Sequence, residues 1–193
     1  MEFEGQSFEE QKFSKIVFLE KDLSHREFSD CTFDKCDLSG CKFSGSLFID
    51  CTFTGCNLSN IKIDNCGFQN AEFDGCKLLG VIFAEIRTSL VKLAFRKCSI
   101  SLCDFTRLDI RNTKFVECTI GETEFAAADL SGSDFSGSDL SGSKFQNTNL
   151  ETANFRGAKN YYINPTCNKL RHALFSYPEV LALLAAFEIK VEY

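Results

Sequence analysis

The sequence has 193 residues, 44% of them hydrophobic, and a formal net charge of −6. This length and composition suit one domain with a sizeable core, and the acidic charge argues against a nucleic acid ligand held by phosphate neutralisation. The N-terminus is acidic and polar, and no apolar run approaches eighteen residues, so neither a signal peptide nor a membrane span is predicted.

Apolar residues recur at every fifth position from Phe3 to Phe83, and all seventeen of these positions are apolar. Neither the helical period of 3.6 residues nor the strand period of two produces a strict five over this distance. Two residues before each apolar centre lies a slot that holds ten of the eleven cysteines, and elsewhere mostly Ala, Ser or Thr. The slot therefore favours small side chains, and free Cys acts there as a small hydrophobe. An odd number of cysteines also fits a reducing cytoplasm better than a disulfide scaffold.

The phase of the repeat slips by two residues within residues 84–94. A repeat protein can tolerate such a segment as a bulged coil or a short loop with no function of its own. The alternative is a loop that contacts a partner, because binding residues concentrate on loops held by rigid scaffolds. In that case we expect Arg87, Leu90 and Lys92 to be partner-binding residues.

The five-residue period resumes at Phe95 and runs to Phe155, so that thirty of thirty positions are apolar and hold 19 of the 21 Phe. Residues 128–145, ADLSGSDFSGSDLSGSKF, belong to this run, although their Ser, Gly and Asp content is typical of a flexible linker. We therefore expect a rigid segment whose core residues are Leu130, Phe135, Leu140 and Phe145. Its carboxylates fall on successive faces and cannot form a metal cage.

Each pentad reads as a short extended segment followed by a corner, in the order Ala/Cys, Asp/Asn, Leu/Phe, polar, Gly/Asn. This pattern resembles the pentapeptide-repeat family. The resemblance implies an all-β fold, a right-handed quadrilateral β-helix with four pentads per coil, here followed by a short C-terminal helix and strand. We assign residues 1–160 to the β-helix, with its phase break at 84–94, and residues 161–193 to a C-terminal capping and dimerisation module.

Residues twenty apart then stack in successive coils about 4.8 Å apart. We expect four phenylalanine columns, at Phe8–Phe28–Phe48–Phe68, Phe13–Phe33–Phe53–Phe73, Phe95–Phe115–Phe135–Phe155 and Phe105–Phe125–Phe145.

No cofactor, metal or catalytic site is predicted. Cysteine in many pentads is compatible with zinc, but neighbouring pentads occupy different faces, and the later change from Cys to Ala, Ser or Thr follows size rather than coordination. His25 and His172 lie in no motif, and neither a phosphate-binding loop nor a nucleophile elbow is present. The sequence favours a protein that is not an enzyme.

The C-terminal segment departs from the repeat. Ser176 and Glu179 form a capping box that predicts a helix at residues 177–187, and the alternation in residues 188–193 predicts a short strand. The apolar residues of the helix exceed one stripe, so it either seals the last coil or forms a homodimer interface. We expect it to do both.

Charge is distributed in zones along the chain: −6 for residues 1–83, +4 for 84–116, −6 for 117–155 and +2 for 156–193. Seven and a half coils form a rod of roughly 36 Å, and duplex DNA of that length carries roughly 21 phosphate charges. Mimicry of DNA would therefore depend on width, length and local acidic patches. The alternative is an ordinary, solvated and mildly acidic surface.

Within the family, the chain resembles the cytoplasmic bacterial group that protects type II topoisomerases. This group includes the Qnr quinolone-resistance proteins and the McbG and AlbG immunity proteins, which shield DNA gyrase from microcin B17 and albicidin. The resemblance rests on NYYINP at residues 160–165, FSYPE at 175–179, Leu183, Leu184 and Ile189, and KLLGV at 77–81. It implies a rod-like homodimer that docks through its acidic surface on the positively charged DNA-gate saddle of gyrase.

Carried onto this sequence, the resemblance implies dimer contacts at Tyr177, Leu181, Leu184 and Phe187, and docking residues Glu124, Asp129, Asp134 and Asp139. The phase-break segment is short beside the projecting loops of some Qnr members, which contribute to protection against quinolones. The sequence therefore favours a DNA-mimicking factor that protects DNA gyrase, topoisomerase IV or both, and that binds neither nucleic acid nor membrane directly. The alternative is a scaffold or adaptor for an unrelated protein partner.

Overall fold

The structure, a computed structural model, describes residues 5–189. Phe3, the first residue of the repeat, and residues 190–193 of the expected terminal strand lie outside this range. The described chain winds into a right-handed quadrilateral β-helix whose strands all pair in parallel. The expected fold class is therefore confirmed.

Short strands of two to four residues build four faces, which we number in chain order. Face 1 contains Ser7–Glu9, Glu27–Ser29, Leu47–Ile49 and Gly67–Gln69. Face 2 contains Lys12–Ser14, Thr32–Asp34, Thr52–Thr54, Ala71–Asp74, Leu93–Arg96 and Lys114–Val116, followed by Asn154–Phe155 and Leu174–Phe175. Face 3 contains Lys77–Leu79, Ser99–Ser101 and Thr119–Gly121, and face 4 contains Lys144–Phe145 and Tyr162–Ile163. Single bridges pair the remaining coils.

The two runs of pentads join into one solenoid across the phase break. Phe73 pairs with Phe95 on face 2, a step of 22 residues instead of 20, and their rings stack with centroids 5.0 Å apart. Two of the expected columns are therefore a single column of nine phenylalanines on face 2, from Phe13 to Phe175. Its eight steps correspond to a length of about 38 Å.

The core is a lattice of aromatic rings with two contact geometries. Along a column the rings stack, as for Phe95 and Phe115 at 5.1 Å and 9°. Between columns they meet edge to face, as for Phe105 and Phe115 at 5.7 Å and 90°. Each such pair adds about 0.5 to 1.5 kcal/mol beyond the burial of area. The Ser- and Gly-rich run belongs to this core, because Leu130, Phe135, Leu140 and Phe145 are all buried.

Most side chains in the small slot also donate a hydrogen bond, which was not anticipated from the sequence. The Cys41 thiol donates to the Phe18 carbonyl at 2.8 Å, and the Thr148 hydroxyl donates to the Phe125 carbonyl at 2.9 Å. Each acceptor belongs to the preceding coil, so the Cys, Ser and Thr side chains link neighbouring coils by hydrogen bonds. Burial raises the pKa of the Cys51 thiol to about 12, so this thiol remains protonated and unreactive.

The corners adopt left-handed backbone, and many are not glycine. Glu10, Lys15 and Arg107 have φ of 51°, 55° and 62°. Left-handed backbone is unfavourable for residues with a Cβ, but the N–H of most corner residues donates to a carbonyl of the next coil, as from Glu10 to Ser29 at 2.9 Å. The repeat therefore tolerates charged residues at corners, where the sequence pattern indicated Gly or Asn.

Strand pairing continues beyond residue 160, although the five-residue period does not. Phe145 pairs with Ile163, a step of 18 residues, and Phe155 then pairs with Phe175. A shortened segment and a compensating longer one thus complete a further coil. The pattern is lost from the sequence because neither segment keeps the spacing of five.

Residues 5–189 contain two 3₁₀ helices, Phe83–Glu85 and Glu179–Phe187. The second replaces the helix expected at residues 177–187, and its N-terminus has no side-chain cap. The expected capping box is therefore wrong, because the Ser176 hydroxyl accepts a hydrogen bond from the Gly157 N–H at 3.0 Å instead. Glu188 has left-handed backbone and follows the helix directly, so the described part of residues 188–193 contains no strand.

Candidate partner-binding surfaces

The four acidic candidates surround one coil. Glu124 lies on face 4, Asp129 on face 1, Asp134 on face 2 and Asp139 on face 3, each directly before a buried core residue. They do not converge, so they form an acidic band around the rod and not a single acidic patch. Any one face of the band presents one of these carboxylates.

The aspartates of the band also stabilise the coil. The Asp129 carboxylate accepts hydrogen bonds from the Ser131 N–H and the Asn149 amide, both at 3.0 Å. Burial raises the pKa of Asp129, but these hydrogen bonds outweigh it and hold the pKa below its usual value of 3.8. Asp134 has the same arrangement, with the Asn154 amide at 2.9 Å. These carboxylates therefore join neighbouring coils as well as facing solvent.

Lysines neutralise half of the band. Lys144 lies 2.5 Å from the Glu124 carboxylate, and Lys159 lies 3.6 Å from the Asp139 carboxylate. Such exposed ion pairs contribute little stability, but they reduce the local negative charge. Asp129 and Asp134 form no ion pair with residues 5–189, so their charge is the part of the band available to a cationic partner.

The two extra residues of the phase break form a bulge on face 1. We define this bulge as residues 88–91, which lie between the Arg87 N–H, bonded to the Cys66 carbonyl at 2.8 Å, and the Lys92 N–H, bonded to the Phe68 carbonyl at 3.1 Å. The bulge ends the strand pairing of face 1 at Gly67–Gln69.

The three candidates in this segment have different environments. Leu90 is 76% exposed with φ of 61°, and Lys92 is also exposed. The Arg87 side chain instead bonds the protein's own backbone, with Nε 2.7 Å from the Asn65 carbonyl and Nη2 2.8 Å from the Gly45 carbonyl. A groove of about 310 Å³ lies beside the bulge, lined by Thr88, Leu90, Val91, Asp109, Arg111 and Asn112.

The C-terminal end exposes apolar side chains. The helix sequence EVLALLAAF contains no fully buried residue. Tyr177 is 73% and Phe187 50% exposed, while Leu181 and Leu184 are half-buried. Contiguous exposed apolar surface of this kind is typical of an interaction site. All four expected dimer residues thus lie at one end of the rod.

Leu174 and Tyr162 add to this apolar end and were not among the sequence candidates. They are 40% and 61% exposed. Each occupies the position directly before a core residue, where most pentads have a polar side chain. An apolar residue in that surface slot is the signal that identifies them.

Other kinds of site are not found in the described chain. No group of three or more His, Cys, Asp or Glu residues within residues 5–189 is arranged to hold a metal ion. No helix in the same range has the length and apolar character needed to span a bilayer.

Comparisons with known proteins match the repeat and the fold. QnrB1, described as a plasmid-mediated fluoroquinolone resistance protein, aligns in one trypsin-treated form over 96% of this chain and 100% of its own, with 18% identity and a TM-score of 0.56. A second trypsin-treated form aligns over 96% and 90% with 22% identity and the same TM-score. HetL, a pentapeptide repeat protein involved in heterocyst differentiation regulation from the cyanobacterium Nostoc sp. strain PCC 7120, aligns over 89% and 87% with 15% identity and a TM-score of 0.59.

A search of curated proteins gives no significant match. At the identities of the solved structures the likeness extends to the fold alone. The family model for the pentapeptide repeat region matches residues 26–94 and 86–155, which is most of the β-helix. The chain therefore belongs to the pentapeptide-repeat family.

Proposed function

We propose that this protein is a non-enzymatic cytoplasmic homodimer that binds DNA gyrase, topoisomerase IV or both in place of DNA. In this role it protects the enzyme from poisons such as quinolones or peptide toxins. The observation that carries the proposal is the exposed apolar end of a rod with an acidic band nearby. QnrB1, a fluoroquinolone resistance protein with the same fold, supports it.

The apolar end accounts for the dimer. Leu184 and Leu181 remain half-buried on a helix that closes the last coil, and Phe187 extends the same apolar surface. Pairing two copies at this end buries those side chains symmetrically. Two rods of about 38 Å then form one particle of about 76 Å, the length of about 22 base pairs of duplex DNA.

The acidic band accounts for docking on a surface that normally holds DNA. Asp129 and Asp134, on adjacent faces, form no ion pair with residues 5–189, although Arg111 lies near enough to lower the pKa of Asp129. The dimer brings two bands to either side of its centre. The total charge is far below that of DNA, so we expect the local carboxylates and the shape of the rod to provide recognition. Association should weaken as salt rises, because rim charges of this kind are screened.

The direct test is gyrase supercoiling in the presence of a poison. Increasing amounts of the protein are added to assays that contain a fluoroquinolone, albicidin or microcin B17. We expect supercoiling to recover in at least one of them. The doubly substituted Asp129→Asn, Asp134→Asn protein should need several-fold more protein for the same recovery. Absence of recovery in all three gyrase assays, and in decatenation by topoisomerase IV with a fluoroquinolone, contradicts the proposal.

The dimer is tested separately by mass in solution. Leu184→Asp places a charge in the apolar end and should convert the particle to a monomer. Ala182→Asp makes the same change at an exposed position of the same helix and serves as the matched control. If Leu184→Asp keeps the wild-type mass, the interface lies elsewhere.

A scaffold or adaptor role is the second candidate, and one observation favours it. HetL has the same fold and is involved in heterocyst differentiation regulation, so the β-helix also serves other processes. An affinity capture from bacterial lysate distinguishes the two. Recovery of a topoisomerase subunit supports protection, whereas reproducible recovery of other proteins without any topoisomerase supports the scaffold.

A further inference from the structure

The bulge lacks the backbone hydrogen bonds that hold every neighbouring coil. Residues 89–90 form a turn, but within residues 5–189 residues 88–91 form no backbone hydrogen bond to a neighbouring coil, and pairing resumes at Lys92, whose carbonyl accepts from the Ala71 N–H at 3.0 Å. A four-residue segment without such bonds has few constraints of its own. Something outside the ladder must therefore fix its position.

Arg87 provides that constraint. Its Nε and Nη2 donate to the carbonyls of Asn65 and Gly45, which are corner residues of the two preceding coils. A guanidinium presents several donors in one rigid plane, so a single side chain fastens the start of the bulge to two coils at once. The Arg87 N–H also bonds the Cys66 carbonyl. The donors used in these bonds face the protein and not a partner.

Leu90 has no structural reason to be leucine. Its side chain is 76% exposed and packs into no core, and its φ of 61° lies in the region where a residue with a Cβ is unfavourable. Glycine or asparagine would serve a simple bulge better. Leu102 is also exposed with φ of 53°, but it occupies an ordinary corner whose N–H bonds the Gly121 carbonyl at 3.1 Å. Leu90 lies in the bulge without a bond to a neighbouring coil, so its exposure and backbone strain point to a role outside the fold.

We infer that Arg87 is a positioning residue which holds the bulge, and that Leu90 is the side chain which the bulge presents to an apolar site on the partner. The groove beside Leu90 contains the paired Asp109 and Arg111, which can meet polar groups at the rim of such a site. The second half of this inference rests on the proposed function, since the partner is then a type II topoisomerase.

Hydrogen exchange of the full-length protein tests the anchoring without any partner. In Arg87→Ala the amides of Lys92 and Ala71, which close the bulge, should exchange at least tenfold faster than in wild type. The Gly75 amide, bonded to the Arg96 carbonyl in the same coil, should not change. Arg107→Ala is the control, because Arg107 is an exposed arginine at a left-handed corner of the next coil and has no side-chain hydrogen bond to residues 5–189. Unchanged exchange of Lys92 and Ala71 in Arg87→Ala overturns the anchoring.

Supercoiling in the presence of the poison that wild type counters tests the contact. Leu90→Ser should require at least tenfold more protein for half-maximal recovery, and Arg87→Ala at least threefold more, while Arg107→Ala behaves as wild type. If exchange accelerates in Arg87→Ala but both Arg87→Ala and Leu90→Ser protect as wild type does, the contact role of Leu90 is overturned and the anchor stands. If wild type never protects, the proposed function fails, and exchange alone decides the role of Arg87.

Discussion

The Ser138 hydroxyl donates a hydrogen bond of 2.5 Å to the Phe115 carbonyl in the preceding coil, and the same oxygen accepts from the Cys118 N–H at 2.8 Å. One buried hydroxyl thus satisfies two backbone groups that face the interior, where no water can replace it. Cys118 fills the equivalent position one coil earlier and is also buried. The small slot therefore changes from a thiol at Cys118 to a hydroxyl at Ser138, and both side chains are small and able to donate a hydrogen bond.

Replacing Ser138 with alanine should lower the free energy of unfolding by about 1 to 3 kcal/mol, because the Phe115 carbonyl and the Cys118 N–H lose their partner inside the core. Ser138→Cys keeps a donor of similar size and should be less damaging. Equilibrium urea unfolding measures both. Ser136→Ala, at a position that faces solvent, should lie within about 0.5 kcal/mol of wild type; an equal effect at both serines would show that the hydroxyl of Ser138 does not matter.

The period of five fixes which residue of each pentad points inward, and the fold itself followed from the resemblance of this pattern to the pentapeptide-repeat family. It could not distinguish a slot that is merely small from one that must donate, since Ala128 and Ala153 occupy it without a donor. The spacing of five also failed to indicate the last coil. There, steps of 18 residues at Ile163 and 20 at Phe175 keep the stacking in space while the spacing along the chain becomes irregular.

Tyr161 should destabilise the native state through its hydroxyl. The residue is 4% exposed and packs between Phe155 and Phe175, and its Oη has no hydrogen-bond partner within residues 5–189. Tyr161→Phe removes this buried polar atom and should raise the free energy of unfolding by about 1 kcal/mol. Tyr162→Phe, at an exposed neighbour, should have no measurable effect. A loss of stability in Tyr161→Phe would mean that the hydroxyl has a partner.

The same substitution should change the response to alkali. Burial, with a contribution from Glu179, raises the pKa of Tyr161 from 10.0 to about 12. The native state therefore holds the phenol proton more tightly than the unfolded chain does. The stability that depends on keeping this proton is fully present below about pH 10 and is lost as pH rises through about 12. Unfolding measured across this range should show a steeper decline for wild type than for Tyr161→Phe. Parallel curves would contradict the shift.

Asp139 should contribute to stability at neutral pH. The Ser141 hydroxyl, followed by the Asn160 amide and the Ser141 N–H, holds the pKa of this carboxyl below its usual value of 3.8 despite partial burial. Since the native pKa is depressed, the stabilisation is present above about pH 4 and disappears as pH falls through the native pKa. Asp139→Asn should therefore be less stable than wild type at neutral pH, and the two should converge in acid.

Urea unfolding at neutral pH and in acid measures this convergence. Glu122→Gln removes one carboxylate at an exposed corner, whose side chain accepts no hydrogen bond from residues 5–189. It should follow wild type at both pH values. A constant difference between Asp139→Asn and wild type would show that shape, and not ionisation, accounts for the effect.

The candidate surfaces were only partly predictable from the sequence. The acidic band follows from the repeat, since the residue before each core position must face outward. The role of Arg87 does not, because its acceptors lie 22 and 42 residues earlier in the chain and become neighbours only when the coils stack. Its place in the phase-break segment assigned Arg87 to a partner, whereas its geometry assigns its donors to the protein itself.

Leu90 provides a test in which stability and activity should change in opposite directions. Glycine adopts a φ of 61° without penalty, whereas leucine does so at a cost of about 1 kcal/mol. Gly also increases the freedom of the unfolded chain, so Leu90→Gly should be equal to wild type or more stable by up to about 1 kcal/mol in urea unfolding. Leu90→Ala retains the strain and should not be stabilised.

Both variants remove the exposed apolar side chain, so both should protect gyrase less well than wild type, by at least tenfold in the amount required. If Leu90 served only the fold, the amount of protein required for protection would follow stability, and a variant as stable as wild type would protect as well as wild type. Protection at the wild-type level by Leu90→Gly would show that the exposed leucine has no role in partner binding. Loss of protection together with unchanged or higher stability would show that the strain at this position is maintained for binding.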